Sequence, residues 1–145
     1  MRDLEIKLVE NKEEFIQAME IRRIVFIEEQ NVPLELELDR LDSEAEHVMA
    51  YLDNEPIGCA RIRINKYAKL ERIAIIKNYR GRGFGRQLTN FLIDYCRKKK
   101  VDEIYIHSRA DTSGFYQKNG FNMRGEPFYE AGVEHIEMYM CIRSQ

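Results

Sequence analysis

The sequence predicts a single-domain α/β protein: a mixed sheet with helices packed against it. Three observations lead there. The chain has 145 residues, of which 44% are hydrophobic, enough for one real core. Short runs that alternate apolar and polar residues are interleaved with runs of helical spacing. No internal repeat, low-complexity tract or Pro/Gly-rich linker marks a boundary, so residues 1–145 are taken as one domain.

Each element has its own signal. Leu4 to Val9, "LEIKLV", alternates and predicts a strand. Asn11 then fits an N-cap, with Glu14 three residues on. The run "EEFIQAMEIRRIVFIEEQ" places Phe15, Met19, Ile21, Val25 and Phe26 on a broad helical stripe. "NVPLELELDRLDSEAE" breaks that pattern and predicts a loop with a short helix. "HVMAYLDNEPIGCARIRI" predicts a hairpin turning at Asp53-Asn54-Glu55-Pro56. "AKLERIAII" is a further strand. Phe84 to Lys99 carries helical spacing through Leu88, Phe91, Leu92 and Tyr95. "DEIYIHS" is a short strand, and "TSGFYQKNGF" a short helix closed by Gly120 as a left-handed cap. "HIEMYMCI" alternates again. The order is strand, helices, three strands, helix, strand, helix and closing strands.

Composition excludes several classes. The net charge is -2, so no global field points to nucleic acid. No stretch reaches membrane-spanning length, and the N-terminal "MRDLEIKLVENKEEF" has no apolar signal-like run. The three cysteines, Cys59, Cys96 and Cys141, are odd in number and widely spaced. They argue against a disulfide framework and a zinc site, and for a reducing, cytoplasmic setting. No metal-ligand spacing occurs anywhere.

The sharpest local feature is "RGRGFG", Arg80 to Gly85, which puts three of the eight glycines into five residues. It lies between a strand (Leu70–Ile76) and a helix starting near Gly83. The first N–H groups of a helix lack internal partners, and the peptide dipoles leave partial positive charge there. Glycine removes the Cβ atoms that would keep an anion away, and Arg80, Arg82 and Arg86 add charge. The pattern suits a phosphate or pyrophosphate. It equally suits a turn that merely lets helix and strand pack closely. It is neither a Walker loop nor the dinucleotide fingerprint.

"RGRGFG" fits Arg/Gln-x-x-Gly-x-Gly/Ala, and the chain thereby resembles the GNAT family, the GCN5-related N-acetyltransferases. "LERIAIIKNYRGRGFGRQLTNFLIDYCRKK" is similar to that family's strand, loop and helix throughout. "GFYQKNGF", Gly114 to Phe121, resembles its second signature. The resemblance covers nearly the whole chain. "VFIEEQNVPLELELD" further resembles the small bacterial YjcF-like or ElaA-like members.

The resemblance implies a mostly antiparallel sheet with two splayed strands, and acetyl-CoA as donor. Arg80, Gly81, Arg82, Gly83, Phe84, Gly85 and Arg86 would cradle the pyrophosphate. Ile73, Ala74 and Ile75 would hold the pantetheine arm and acetyl carbonyl through their backbone, as a sheet edge holds a guest strand. An N–H near Ala74 or Ile75 could stabilise the oxyanion. A homodimer, with "HIEMYMCI" completing an intersubunit sheet, is also within what the resemblance implies.

Tyr116 occupies the position of the family's general acid. A phenol, reference pKa about 10, stays protonated at neutral pH and can donate to a thiolate of reference pKa about 8.5. From spacing alone it is a core aromatic beside Phe115 and Phe121. Glu71 lies two residues before Ile73, on the same strand face by alternation, and is a candidate base; a salt-bridged carboxylate beside Lys69 or Arg72 is the other reading. His107, alongside Tyr105, is a second candidate, and His47, at the head of a strand after an acidic run, a third; for both, a hydrogen-bonded structural histidine is the other reading. His135 has no motif context.

Between Glu28 and Glu46 stand eight acidic residues and only Arg40 as a base, -7 locally. That segment would attract a cationic acceptor such as a polyamine, aminosugar or lysine, or else is simply a solvated loop. "CRKKK", Cys96 to Lys100, complements a helix dipole. The expectation is therefore an N-acetyltransferase moving acetyl from acetyl-CoA to a small-molecule or peptide amine by direct transfer, since neither motif holds a cysteine. The alternative is a non-catalytic acyl-CoA-binding sensor on the same fold. A nucleotide-phosphate binder is weaker, lacking the expected lysine and metal ligands.

Overall fold

Among the described residues the alternating runs resolve into seven strands and the helical runs into four α-helices. In chain order these are β1 (Leu4–Leu8), α1 (Lys12–Arg22), α2 (Leu34–Glu37), β2 (Glu46–Leu52), β3 (Glu55–Ile64), β4 (Ala68–Ile75), α3 (Phe84–Lys98), β5 (Glu103–Arg109), α4 (Ser113–Lys118), β6 (Asn122–Glu130) and β7 (Val133–Cys141). The computed structural model describes residues 4–143. One sheet orders the strands β1-β2-β3-β4-β5-β7-β6. Every pairing is antiparallel except β4–β5.

Local chemistry explains the boundaries. The Asn11 side chain accepts from the Glu14 N–H at 2.9 Å, and the Glu14 carboxylate accepts from the Glu10 N–H at 2.8 Å. Beyond Arg22 the chain widens into a π-helix, Arg23–Glu29, where the Gln30 N–H donates to the Val25 carbonyl at 3.1 Å. The single stripe expected here therefore slips. Ala18, Ile21, Arg22 and Val25 are buried, whereas Met19 is only partly so. The β2–β3 turn uses Asp53 and Asn54 with φ 50° and 69°, the left-handed pair that matches hairpin twist.

The sheet has two covered faces. On one, Val48, Ile62, Leu70, Ile104 and Met138 pack against Leu88, Leu92 and Cys96 of α3 and Tyr116 of α4. On the other, Met49, Cys59 and Ala74 meet Ala18, Ile21 and Val25. In β4 the alternation breaks. Cys59 pairs with Ala74 but Arg61 pairs with Glu71, so Arg72 and Ile73 together oppose Ala60. Arg72 takes φ 53° to make this bulge. The strained backbone is held by its side chain: Nε lies 2.5 Å from a Glu37 oxygen, and Nη2 donates to the Glu37 carbonyl at 3.0 Å.

Two expectations need correction. Glu71 does not share a face with Ile73, because the bulge inverts the alternation between them. Leu70, Ile73 and Ile75 belong to the α3 face, and Glu71 points to the other with Arg61 and Arg63. The closing strand β7 lies between β5 and β6, so both of its edges are taken and it cannot complete an intersubunit sheet; the outer strands are β1 and β6.

Candidate active site

β4 and β5 pair only at Ala68–Ile104 and Lys69–Tyr105. Past that point their facing edges separate, and a cleft of about 910 Å³ opens between them. Its walls come from β4, the loop 80–86, β5, α4, the segment after α1 and the β6–β7 turn. Strand alternation also decides which β4 groups face it. The Ile76 N–H donates to Ile57 at 2.8 Å on the β3 side. The Ile75 N–H and carbonyl therefore turn toward the cleft.

The glycine-rich loop forms one end. Gly81 and Gly83 take φ 78° and 85°, and Gly83 caps α3 without a side-chain hydrogen bond. The first intrahelical bond runs from the Gln87 N–H to the Gly83 carbonyl at 3.1 Å, so the N–H groups of Phe84, Gly85 and Arg86 have no partner within the helix. A Cβ on Gly81 or Gly83 would meet no atom within 4 Å, which leaves that side of the loop open for a ligand. Of the residues expected at the donor site, Ile73, Ala74, Ile75, Arg80, Gly81, Gly83, Gly85 and Arg86 line the cleft. Arg82 and Phe84 do not. The Arg82 guanidinium lies over the Tyr79 ring, 5.6 Å from its centroid, and the Phe84 side chain packs into the core. Arg80 is already engaged: Nε donates to the Ile75 carbonyl at 2.8 Å, and both terminal nitrogens donate to Glu29 at 2.6 and 2.7 Å.

Tyr116 lines the cleft from α4, with edge contacts to Phe115 and Phe121 at 5.1 and 5.8 Å between centroids. It is thus both core aromatic and wall. Burial pushes the phenol well above its ordinary pKa. Burial pushes Cys59 up to about 12 and Cys96 up to about 11, which makes both poor nucleophiles, and none of the three cysteines lines the cleft.

The acidic segment is not a free anionic surface. Glu28 pairs with Arg23 at 2.5 Å, Glu29 with Arg80, Glu37 with Arg22 at 2.6 Å, Asp42 with Arg22 at 2.7 Å and Asp39 with Arg61 at 2.8 Å. Arginines from outside the segment neutralise most of the -7 expected there. Arg22 and Arg61 are almost fully buried within this network. Glu71 joins it. Arg63 donates at 2.5 Å, Arg61 stands at 3.1 Å and Lys69 at 3.5 Å. Burial works to raise the Glu71 pKa, but the Arg63 hydrogen bond and the Arg61 and Lys69 charges prevail and hold it below the ordinary range.

Further groups line the cleft on the Glu71 side of the sheet. His107 of β5, Glu130 of β6 and His135 of β7 stand together, with Glu137 behind His107 at 3.1 Å. Glu130 is hidden in the sequence because β6, broken by Gly125 and Pro127, carries no strand signal, and His135, on the legible strand β7, has no motif context. His47 is structural: its Nε2 lies 2.9 Å from the Asp42 carbonyl and its ring meets Phe15 edge-on. Among the described residues no group of His, Cys, Asp or Glu is arranged to hold a metal, and no helix is long and apolar enough to cross a membrane.

Known proteins share this architecture. Residues 11–142 match the family description "Acetyltransferase (GNAT) domain". The chain is 33% identical over 133 residues to the uncharacterized N-acetyltransferase YjcF of Bacillus subtilis (strain 168), covering 90% of this chain and 95% of that one. The crystal structure of Escherichia coli ElaA superposes with a TM-score of 0.82 at 24% identity, over 99% of this chain and 100% of that one. A Bacillus subtilis acetyltransferase solved in complex with CoA gives 0.74 at 20% identity, over 96% and 99%. The chain belongs to the GNAT acetyltransferase family, among its YjcF- and ElaA-like members.

Proposed function

We propose that the protein is an N-acetyltransferase that moves the acetyl group of acetyl-CoA directly to a primary amine. The observation that carries this is the cleft itself: an unpaired β4 edge runs from an anion-ready helix end to a cleft-lining tyrosine. A structural neighbour holding CoA supports the donor. The loop from Arg80 to Arg86 would take the pyrophosphate through helix N–H groups, Gly81 and Gly83 leaving room and Arg86 adding charge. Ile73, Ala74 and Ile75 would pair with the pantetheine arm, the Ile75 N–H facing the carbonyl oxygen as charge develops on it. The three cysteines are free thiols, which fits a reducing cytoplasm.

The ammonium loses one proton, and the freed lone pair forms an N–C bond to the thioester carbon. The C–S bond breaks, and Tyr116 protonates the departing sulfur. The second proton lost by nitrogen replaces the one Tyr116 gave up. Burial that raises the phenol also raises a thiolate formed beside it, so the transfer stays matched.

The test is CoA-thiol release across a panel of primary amines, with Tyr116→Phe alongside wild type. A fall of on the order of 100-fold in kcat with unchanged acetyl-CoA affinity is expected. Unchanged turnover would remove Tyr116 as the acid. Acetyl-CoA binding without turnover on any amine would favour the sensor reading instead.

A further inference from the structure

We propose that His107, Glu130 and His135 form the pocket that binds the acceptor's ammonium, and that His107 Nδ1 takes its proton. This rests on the acetyl-transfer reading above and names its base.

In the neutral form that a base requires, the hydrogen bonds of the two imidazoles fix which nitrogen presents a lone pair to the cleft. His107 Nε2 lies 3.1 Å from Glu137, a carboxylate that can only accept, so that nitrogen carries the hydrogen. Glu137 is itself anchored by Arg124 at 2.8 Å, whose other nitrogens donate to Glu103. Nδ1 of His107 is then the lone-pair nitrogen. It is buried, has no hydrogen-bond partner, and stands 3.7 Å from Glu130. His135 repeats the arrangement in reverse. Its Nδ1 lies 2.8 Å from the Val133 carbonyl and must donate, leaving the lone pair on Nε2, 3.8 Å from the other Glu130 oxygen.

With both rings neutral, Nδ1 of His107, Nε2 of His135 and the Glu130 carboxylate are three acceptors that converge with no donor between them. Such a set lacks its complement. A primary ammonium supplies it, with three N–H donors and one positive charge. Glu130 is half-exposed and reaches the cleft, so the cation has a path. The Phe128 ring closes the pocket, edge-on to His107 at 5.0 Å and stacked on His135 at 5.9 Å.

Position relative to the donor strand agrees. The last paired residues are Lys69 and Tyr105. Two residues further along each parallel strand stand Glu71 and His107, on the same face, across the opening. Glu71 is clamped by Arg61, Arg63 and Lys69 and has little room for an ammonium. His107 faces it with a free lone pair. The step breaks one N–H bond of the ammonium and forms one at His107 Nδ1, and Glu137 and Glu130 offset the imidazolium charge.

The test uses the full chain with His107→Gln and Glu130→Gln and two nucleophiles at pH 7: hydroxylamine, which is already neutral there, and the best alkylamine of the panel, which is an ammonium. Loss of a base should cost the alkylamine on the order of 100-fold in kcat/KM and hydroxylamine less than about tenfold. Glu130→Gln should raise KM for the alkylamine and leave hydroxylamine nearly unaffected. Acetyl-CoA affinity stays at the wild-type value in both and reports that each variant is folded. Equal losses for both nucleophiles, or no loss for either, would overturn the proposal. If wild type neither binds acetyl-CoA nor releases thiol, the acetyl-transfer reading itself fails first, and that outcome is distinct from these.

Discussion

Arg80 of the glycine-rich loop grips Glu29, the last residue of the π-helix, through two hydrogen bonds of 2.6 and 2.7 Å. The pair ties the donor loop to the segment that walls the opposite side of the cleft. It also removes from the loop a charge that a pyrophosphate would use.

Replacing Glu29 therefore has a defined sign. Glu29→Gln frees the Arg80 guanidinium and removes a negative charge close to the anion site. Acetyl-CoA should bind about two- to fivefold tighter at low salt, and the gain should shrink at high salt. The pair is partly exposed, so stability should change by less than about 1 kcal/mol. Weaker acetyl-CoA binding would mean that Glu29 is needed to place Arg80.

Arg61 should be the most costly cation to lose. It is fully buried and holds Asp39 at 2.8 Å, Asp42 at 3.0 Å and Glu71 at 3.1 Å. Arg61→Met leaves those carboxylates partly unpaired and should cost about 3–5 kcal/mol in urea unfolding. A loss below about 1 kcal/mol would show that the network is loosely coupled to the fold.

The same network predicts the acid limb of stability. Arg61 hydrogen bonds hold Asp39 well below its ordinary value, and Asp42 and Glu71 are also lowered. Groups with depressed folded values contribute fully above their unfolded values and lose that contribution as pH falls through the folded ones. Stability should thus be flat with pH above the ordinary values of 3.8 for Asp and 4.5 for Glu, and fall steadily below them. Arg61→Met should flatten that fall. An unchanged acid slope in the variant would assign the slope to other carboxylates.

Gly58 sets the spacing between β3 and the donor strand. A Cβ there would stand 2.7 Å from Ile75 Cδ1 and 2.9 Å from the Ala74 carbonyl oxygen. The isoleucine tip can move, but the carbonyl belongs to the β4 backbone. Gly58→Ala should cost about 1–3 kcal/mol and, by displacing Ala74 and Ile75, weaken acetyl-CoA binding several-fold. Wild-type affinity in a destabilised variant would place the relaxation in β3 instead.

What the sequence showed well was local. The Asn11 cap, the left-handed Gly120 after α4 and the β2–β3 turn, expected over residues 53–56 and made by Asp53 and Asn54, all follow from short-range chemistry. What it hid depends on distant partners. The bulge at Arg72 is held by Glu37, 35 residues away, and inverts the face on which Glu71 was expected. The acidic segment was legible as charge, yet the arginines that neutralise it come from α1, β3, β4 and the glycine-rich loop. The His107–Glu130–His135 group unites three strands, one of which Gly125 and Pro127 concealed.

The most direct test of the account is to titrate acetyl-CoA into the protein by calorimetry, beside a variant carrying Gly83→Glu and Gly85→Glu. Both substitutions place a carboxylate at the helix end; on Gly83 a Cβ meets no atom within 4 Å, and on Gly85 it meets the Phe115 ring at 3.5 Å. The account predicts saturable binding by wild type and its loss in the folded variant. A folded wild type that binds no acetyl-CoA would contradict the account, leaving the loop from Arg80 to Gly85 as no more than a turn between β4 and α3.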